Sequence, residues 1–153
     1  MCQVNQAQLS WLGLSLYRYS TNTPRSLIQP DRQPGQCWAF KGSQGYVVIR
    51  LVAPVRPTAF TMEHIPRELA PFGNIDSAPK NFTVWGLLAE TDEGVQLGAF
   101  QYLNNGEALQ YFALSQPSED YYPFIELKIN SNHGHMRYTC VYRFRVHGVR
   151  MKL

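Results

Sequence analysis

Short runs of β-branched and aromatic residues, each cut off by glycine, proline, asparagine, aspartate or serine, recur along most of this chain and leave it few ways to fold. YVVIRL (46–51), PTAFTMEHI (57–65), NFTVWGLL (81–88), VQLGAFQYL (95–103), LQYFAL (109–114), FIELKINS (124–131) and YTCVYRFRVHG (138–148) each read as a strand. Such strands in a chain of 153 residues indicate a single all-β domain, a compact sandwich of the jelly-roll kind. Abundant aromatic residues and few charges fit that class better than a helical bundle or a disordered chain. In PTAFTMEHI the alternation sets Phe60 and Met62 on one face and Thr61 and Glu63 on the other, and APVRP (53–57) is expected to turn the chain before it. IPRELAPFG (65–73) has room for one helical turn. QLSWLGLSLYRYS (8–20), apolar around Gly13, reads either as a core hairpin or as a projecting one whose apolar side needs a partner.

The formal charge of +3 is spread along the chain apart from the closing RFRVHGVRMK, which does not argue for nucleic acid. No apolar run approaches a membrane span, and the opening MCQVNQAQLSWLG lacks the pattern of a signal peptide. Cys2, Cys37 and Cys140 make an odd count with no CxxC spacing. In an oxidising compartment two would pair, whereas in a reducing one all three would be thiols; the residues alone leave both open.

Enzyme motifs such as GxSxG, HExxH, a P-loop or GxGxxG are missing from the sequence. His133 and His135 in SNHGHM have a spacing that could hold a metal but no third ligand nearby in sequence. His64 could serve as a base, although a histidine beside a turn is more often structural, and Ser77 in DSAPK has no adjacent base. IQPDRQPGQCWAF (28–40) is either a plain structural turn or a loop whose backbone carbonyls turn inward toward a hard cation. Asn81-Phe82-Thr83 is an N-x-T sequon at the opening of a strand; use needs an exposed side chain, and such short motifs also arise by chance.

Taken together, IQPDRQPGQCWAFKGSQGYVVIRL, FTMEHIPRELAPFGNIDSAPKNFTVWGL and YTCVYRFRVHG resemble the SUN domain, the luminal C-terminal module of inner-nuclear-membrane proteins that hold KASH-domain proteins across the nuclear envelope. The resemblance runs from about Leu9 to Gly148 and implies a β-sandwich, no enzyme activity and a place in the perinuclear space. It places a lid hairpin at about 8–20, carried by Leu9, Trp11, Leu12, Gly13, Leu14, Leu16 and Tyr17, which favours the projecting hairpin. A cation loop follows at about 26–37, where the backbone carbonyls of Ser26, Gln29, Asp31 and Gln36, with Tyr142 nearby, would hold a monovalent cation, potassium; the sandwich core covers about 38–148. Cys37 and Cys140 fall on the family's intradomain disulfide, and the terminal carboxylate of a KASH (nesprin-like) peptide would meet His64, Ser77 and Tyr138, with Tyr142 alongside.

Departures accompany the likeness. The chain starts at the lid, so the coiled coil that makes the longer proteins homotrimers, the transmembrane helix and the first part of the domain are expected to be missing from it. Cys2 lies near, but out of register with, the family cysteine that can bond to a KASH peptide. The family's SNWG reads SNHG, with His133 in place of a tryptophan, which is expected to loosen packing beneath the last strand. The alternative is a glycan-binding sandwich in which the lid aromatics stack on a sugar ring.

Overall fold

A computed structural model of the chain describes residues 3–4, 28 and 37–152, and each run read above as a strand forms strand. The strands are β1 (Gln3–Val4), β2 (Trp38–Lys41), β3 (Gly45–Glu63), β4 (Asn81–Leu87), β5 (Val95–Gln101), β6 (Leu109–Ala113), β7 (Tyr122–Ile129), β8 (Tyr138–Val141) and β9 (Arg143–Arg150). All the pairings are antiparallel.

The long strand β3 organises the fold. Its first half pairs with β7, in register Val47 to Leu127, and the sheet continues outward through β4 to β5. Its second half lies between β6 and β9, with Glu63 opposite both Leu109 and Arg143. The strand changes neighbours midway, so β6 and β9 face the β4–β5 part of the sheet across a core of aromatic rings. Phe82 meets Phe112 edge-on at 5.1 Å, and Phe100 meets Phe60 at 6.2 Å. Sheet packed on sheet buries both inner faces, the sandwich expected from the alternation. β2 and β8 form a separate two-stranded sheet, and Trp38 and Phe40 of β2 enter the same core.

Several local expectations change. APVRP does not turn: it runs through β3 with shifts of register between Arg50 and Val55 and between Pro57 and Ala59. Those shifts explain why proline is tolerated, because a bulge needs no ladder N–H from every residue. The face that carries Thr61 and Glu63, opposite Phe60 and Met62, is buried as well, and Arg143 pairs with Glu63 there at 3.3 Å. YTCVYRFRVHG is two strands rather than one, divided at Tyr142, whose N–H goes to the Glu63 carbonyl at 3.2 Å. Its final Gly148 is required by contact: a Cβ there would lie 2.2 Å from the Arg56 carbonyl oxygen. IPRELAPFG holds two short 3-10 turns, Arg67–Leu69 and Pro71–Gly73, with Phe72 in the left-handed region at φ 58°.

Candidate functional site

The site begins where β3 ends. His64 follows the last strand residue and is 2% exposed. Its N–H reaches the Ala108 carbonyl and the Tyr102 hydroxyl, each at 3.2 Å, and the same hydroxyl donates to the Ala108 carbonyl. Burial holds the Tyr102 phenol up at about 12, so it stays protonated as a donor. Across the ring, His64 Nδ1 lies 3.2 Å from the Cys140 carbonyl oxygen. A carbonyl oxygen only accepts, so Nδ1 carries the hydrogen and Nε2 of the neutral ring holds a lone pair. Burial pushes the imidazole from 6.5 down to about 4, opposed by the bond to Cys140 and assisted by His133.

Cys140 gathers the remaining residues. Its N–H donates to the Ser77 carbonyl at 2.8 Å, its carbonyl accepts from His64, and its sulfur is bonded to Cys37. The disulfide spans 103 residues of sequence with the Cα atoms 5.7 Å apart, as the resemblance implies. Tyr138, Cys140 and Tyr142 lie two residues apart and share one cluster with Cys37, Ile65 and Ile75. The Tyr142 ring meets His64 edge-on at 5.0 Å. Cys140 of β8 therefore gathers the His64 ring, the backbone carbonyl of Ser77 and the side chains of Tyr138 and Tyr142, which are dispersed over 64–142 in sequence.

Asn132, which carries no signal of its own in sequence, joins the two histidines of SNHGHM beside this site. Asn132 turns its amide nitrogen toward the carbonyls of His135 and Tyr138 and the Thr139 hydroxyl, at 3.0, 3.2 and 3.0 Å, and accepts the Gly134 N–H at 2.9 Å. It steadies the approach to Tyr138; an asparagine in a turn cluster is the only hint. His135 Nδ1 accepts the N–H groups of Arg137 and Tyr138, each at 3.2 Å, while its ring lies 4.0 Å from that of Tyr138. His133 donates from Nε2 to the Tyr102 carbonyl at 2.6 Å and gives its backbone N–H to Ala78. The histidine in SNHG thus ties its loop to two neighbours. The H-x-H pair is spent on backbone, and no group of three potential metal-ligating side chains occurs among the described residues.

The lid residues Leu9, Trp11, Leu12, Gly13, Leu14, Leu16 and Tyr17 lie outside the described residues, as do Ser26, Gln29, Asp31 and Gln36 of the cation loop. Beside His64 is an open concavity of about 400 Å³ lined by Ile65, Arg67, Glu68, Ile75, Tyr102 and Asn104 among others. A larger one of about 580 Å³, walled by Leu88, Asp92, Glu93, Val95, Glu119 and Tyr121, lies at the other end of β4.

Comparison with known proteins follows the same line. The matching family is described as Sad1 / UNC-like C-terminal and covers residues 17–150. The Klaroid protein of Drosophila melanogaster is 53% identical over 95% of this chain and 15% of its own length. SUN domain-containing protein 1 of Homo sapiens is 53% identical over 98% of the chain and 19% of its own length. SUN domain-containing protein 3 of Bos taurus is 48% identical over 94% and 40%. The chain therefore spans well under half the length of these relatives. Among solved structures, a family 32 carbohydrate-binding module from Streptococcus pneumoniae EndoD superimposes with TM-score 0.64 at 14% identity, covering 82% of this chain and 84% of that one. A fucolectin from striped bass serum superimposes with TM-score 0.63 at 11% identity, over 98% and 47%. At such identities the likeness is one of fold.

Proposed function

The chain belongs to the Sad1 / UNC-like C-terminal family of SUN domains, and from that premise we propose that it is a luminal binding module for the C-terminal peptide of KASH-domain proteins. It would tether nucleus to cytoskeleton from the perinuclear space and carry out no catalysis. The observation that carries the reading is that the His64 ring, the Ser77 backbone carbonyl and the Tyr138 side chain gather around Cys140. A peptide carboxylate needs hydroxyl and N–H donors held in a shielded place, which a serine and a tyrosine supply without a nucleophile or base. His64, with Nδ1–H already given to Cys140, holds that carbonyl in place and donates through Nε2 only when a second proton is present.

Around this pocket the lid at about 8–20 would lie along the extended peptide as an added strand, where backbone hydrogen bonds supply affinity and the buried end supplies specificity. The carbonyls of Ser26, Gln29, Asp31 and Gln36 would hold a potassium ion, a hard cation suited to oxygen ligands. In favour of that loop is its anchored end: Cys37 is 2% exposed and bonded to the strand that carries Tyr138. An oxidising lumen suits such a disulfide. In the longer relatives a preceding coiled coil would bring three such domains together, with the peptide seated between neighbours. The glycan alternative, which rests on lid aromatics outside the described residues, has weaker support, because relatives at 53% identity are SUN proteins whereas the carbohydrate-binding module superimposes at 14% identity, a likeness of fold.

The test joins this chain to a trimeric coiled coil and titrates a KASH C-terminal peptide as free acid and as amide. Loss of the carboxylate is expected to weaken binding at least tenfold, about 1.4 kcal/mol. Equal affinity for acid and amide would remove the pocket assignment.

A further inference from the structure

We propose that Asn81 carries an N-linked oligosaccharide and that the outer face of β4 is therefore a solvent face in every assembly the domain enters. Asn81-Phe82-Thr83 is the only Asn-x-Ser/Thr triplet in the chain, and its central residue is not proline. The inference rests on the luminal placement proposed above, since that is where such a sugar is added.

The strand decides which way the sequon points. In β4 the burial alternates, with Phe82 at 1% exposure in the core and Asn81 exposed on the opposite face. The backbone of Asn81 is occupied: its N–H donates to the Ser131 hydroxyl at 3.1 Å, and its carbonyl accepts the Asn130 N–H at 2.8 Å. Its side-chain amide has no hydrogen-bond partner among the described residues. A sugar on Nδ2 would thus displace no interaction that the fold uses. The surroundings fit as well. Gln101 stands opposite Asn81 across the pair of strands and is exposed, Asn130 is exposed, and Ser131 is half-exposed. These neighbours are polar and open to solvent, where a glycan is accommodated.

Thr83, the third residue of the sequon, accepts a hydrogen bond from the Trp85 indole N–H at 2.9 Å in the folded strand. Its hydroxyl is held there along an extended backbone, so transfer takes place on the chain before β4 joins its sheet. In that step the Asn81 amide nitrogen bonds to the anomeric carbon of a lipid-pyrophosphate-linked oligosaccharide. The bond from that carbon to the phosphate oxygen breaks, the lipid pyrophosphate leaves, and one amide proton passes to a base.

The whole chain, given a cleavable leader that delivers it to the secretory lumen of animal cells, should run as a slower band that collapses on treatment with an amide-cleaving endoglycosidase. Cleavage in heavy-oxygen water should convert Asn81 to a labelled aspartate. Asn81→Gln and Thr83→Ala should each abolish the shift, and Thr83→Ser should restore it. An unshifted band, in material whose Cys37–Cys140 disulfide has formed, would overturn the proposal. The leader guarantees exposure to the transferase, so that outcome would speak against Asn81 and leave the acid–amide test of peptide binding independent. A shift that persists in Asn81→Gln would overturn it equally.

Discussion

The two ends of β4 make opposite kinds of surface. Past its last residue the turns present a wide concavity walled by Asp92, Glu93, Glu119 and Asp120, all exposed. Their hydrogen bonds are local: Asp92 accepts from Ala89 N–H at 3.0 Å, and the Asp120 N–H goes to the Ser118 hydroxyl at 3.1 Å. Ahead of its first residue, the site around His64 is built from contacts that cross the sequence, from His64 to Cys140, Tyr102 and Tyr142 and from Ser77 to Cys140. Size does not rank these ends. Polar groups withdrawn from water and held from several directions give directional recognition, whereas solvated carboxylates on their own loops give little.

That contrast can be broken most directly through the disulfide. Replacing Cys37 and Cys140 together by serine is expected to cost about 2–4 kcal/mol in urea unfolding, because the bond restricts a long loop of the unfolded chain. Glu93→Ala and Glu119→Ala, at the other end, should stay within about 0.5 kcal/mol. Comparable losses at both ends would erase the distinction.

A pH series sharpens it. His64 titrates near 6.5 when unfolded and at about 4 when folded, so between those values the unfolded chain binds the extra proton. Its contribution is fully present above pH 6.5 and is lost as pH falls toward 4, a total of about 3 kcal/mol. His64→Gln should flatten that segment of the stability profile. An unchanged slope in the variant would mean that His64 is not the group being forced to charge.

The smallest expected effect is the most specific. Ser77→Ala and Tyr138→Phe each remove one hydroxyl and should weaken the acid peptide about tenfold in calorimetric titration of the trimeric fusion, with the amide peptide barely affected. Asp92→Ala should change neither by as much as twofold. Loss of affinity for both peptide forms would indicate that the hydroxyls hold the fold rather than the carboxylate.

Alternation and punctuation in the sequence determined nearly every strand, because period-2 burial and turn chemistry are local properties of a few neighbouring residues. The likeness of the chain to a family carried the pairing of Cys37 with Cys140, whereas the inward position of Phe82 beside an outward Asn81 came with the folded strand. Only the tertiary structure decided that APVRP continues β3 instead of turning, since that depends on β7, β6 and β9 arriving as partners on either side of a bulge. It alone buried Thr61 and Glu63 and broke the last run at Tyr142, whose N–H meets the carbonyl of a residue far upstream. The state of His64 was likewise undetermined by its neighbours in sequence. Its tautomer and its low pKa come from the carbonyl of Cys140 and from burial, which exist only once β3 and β8 have been brought together.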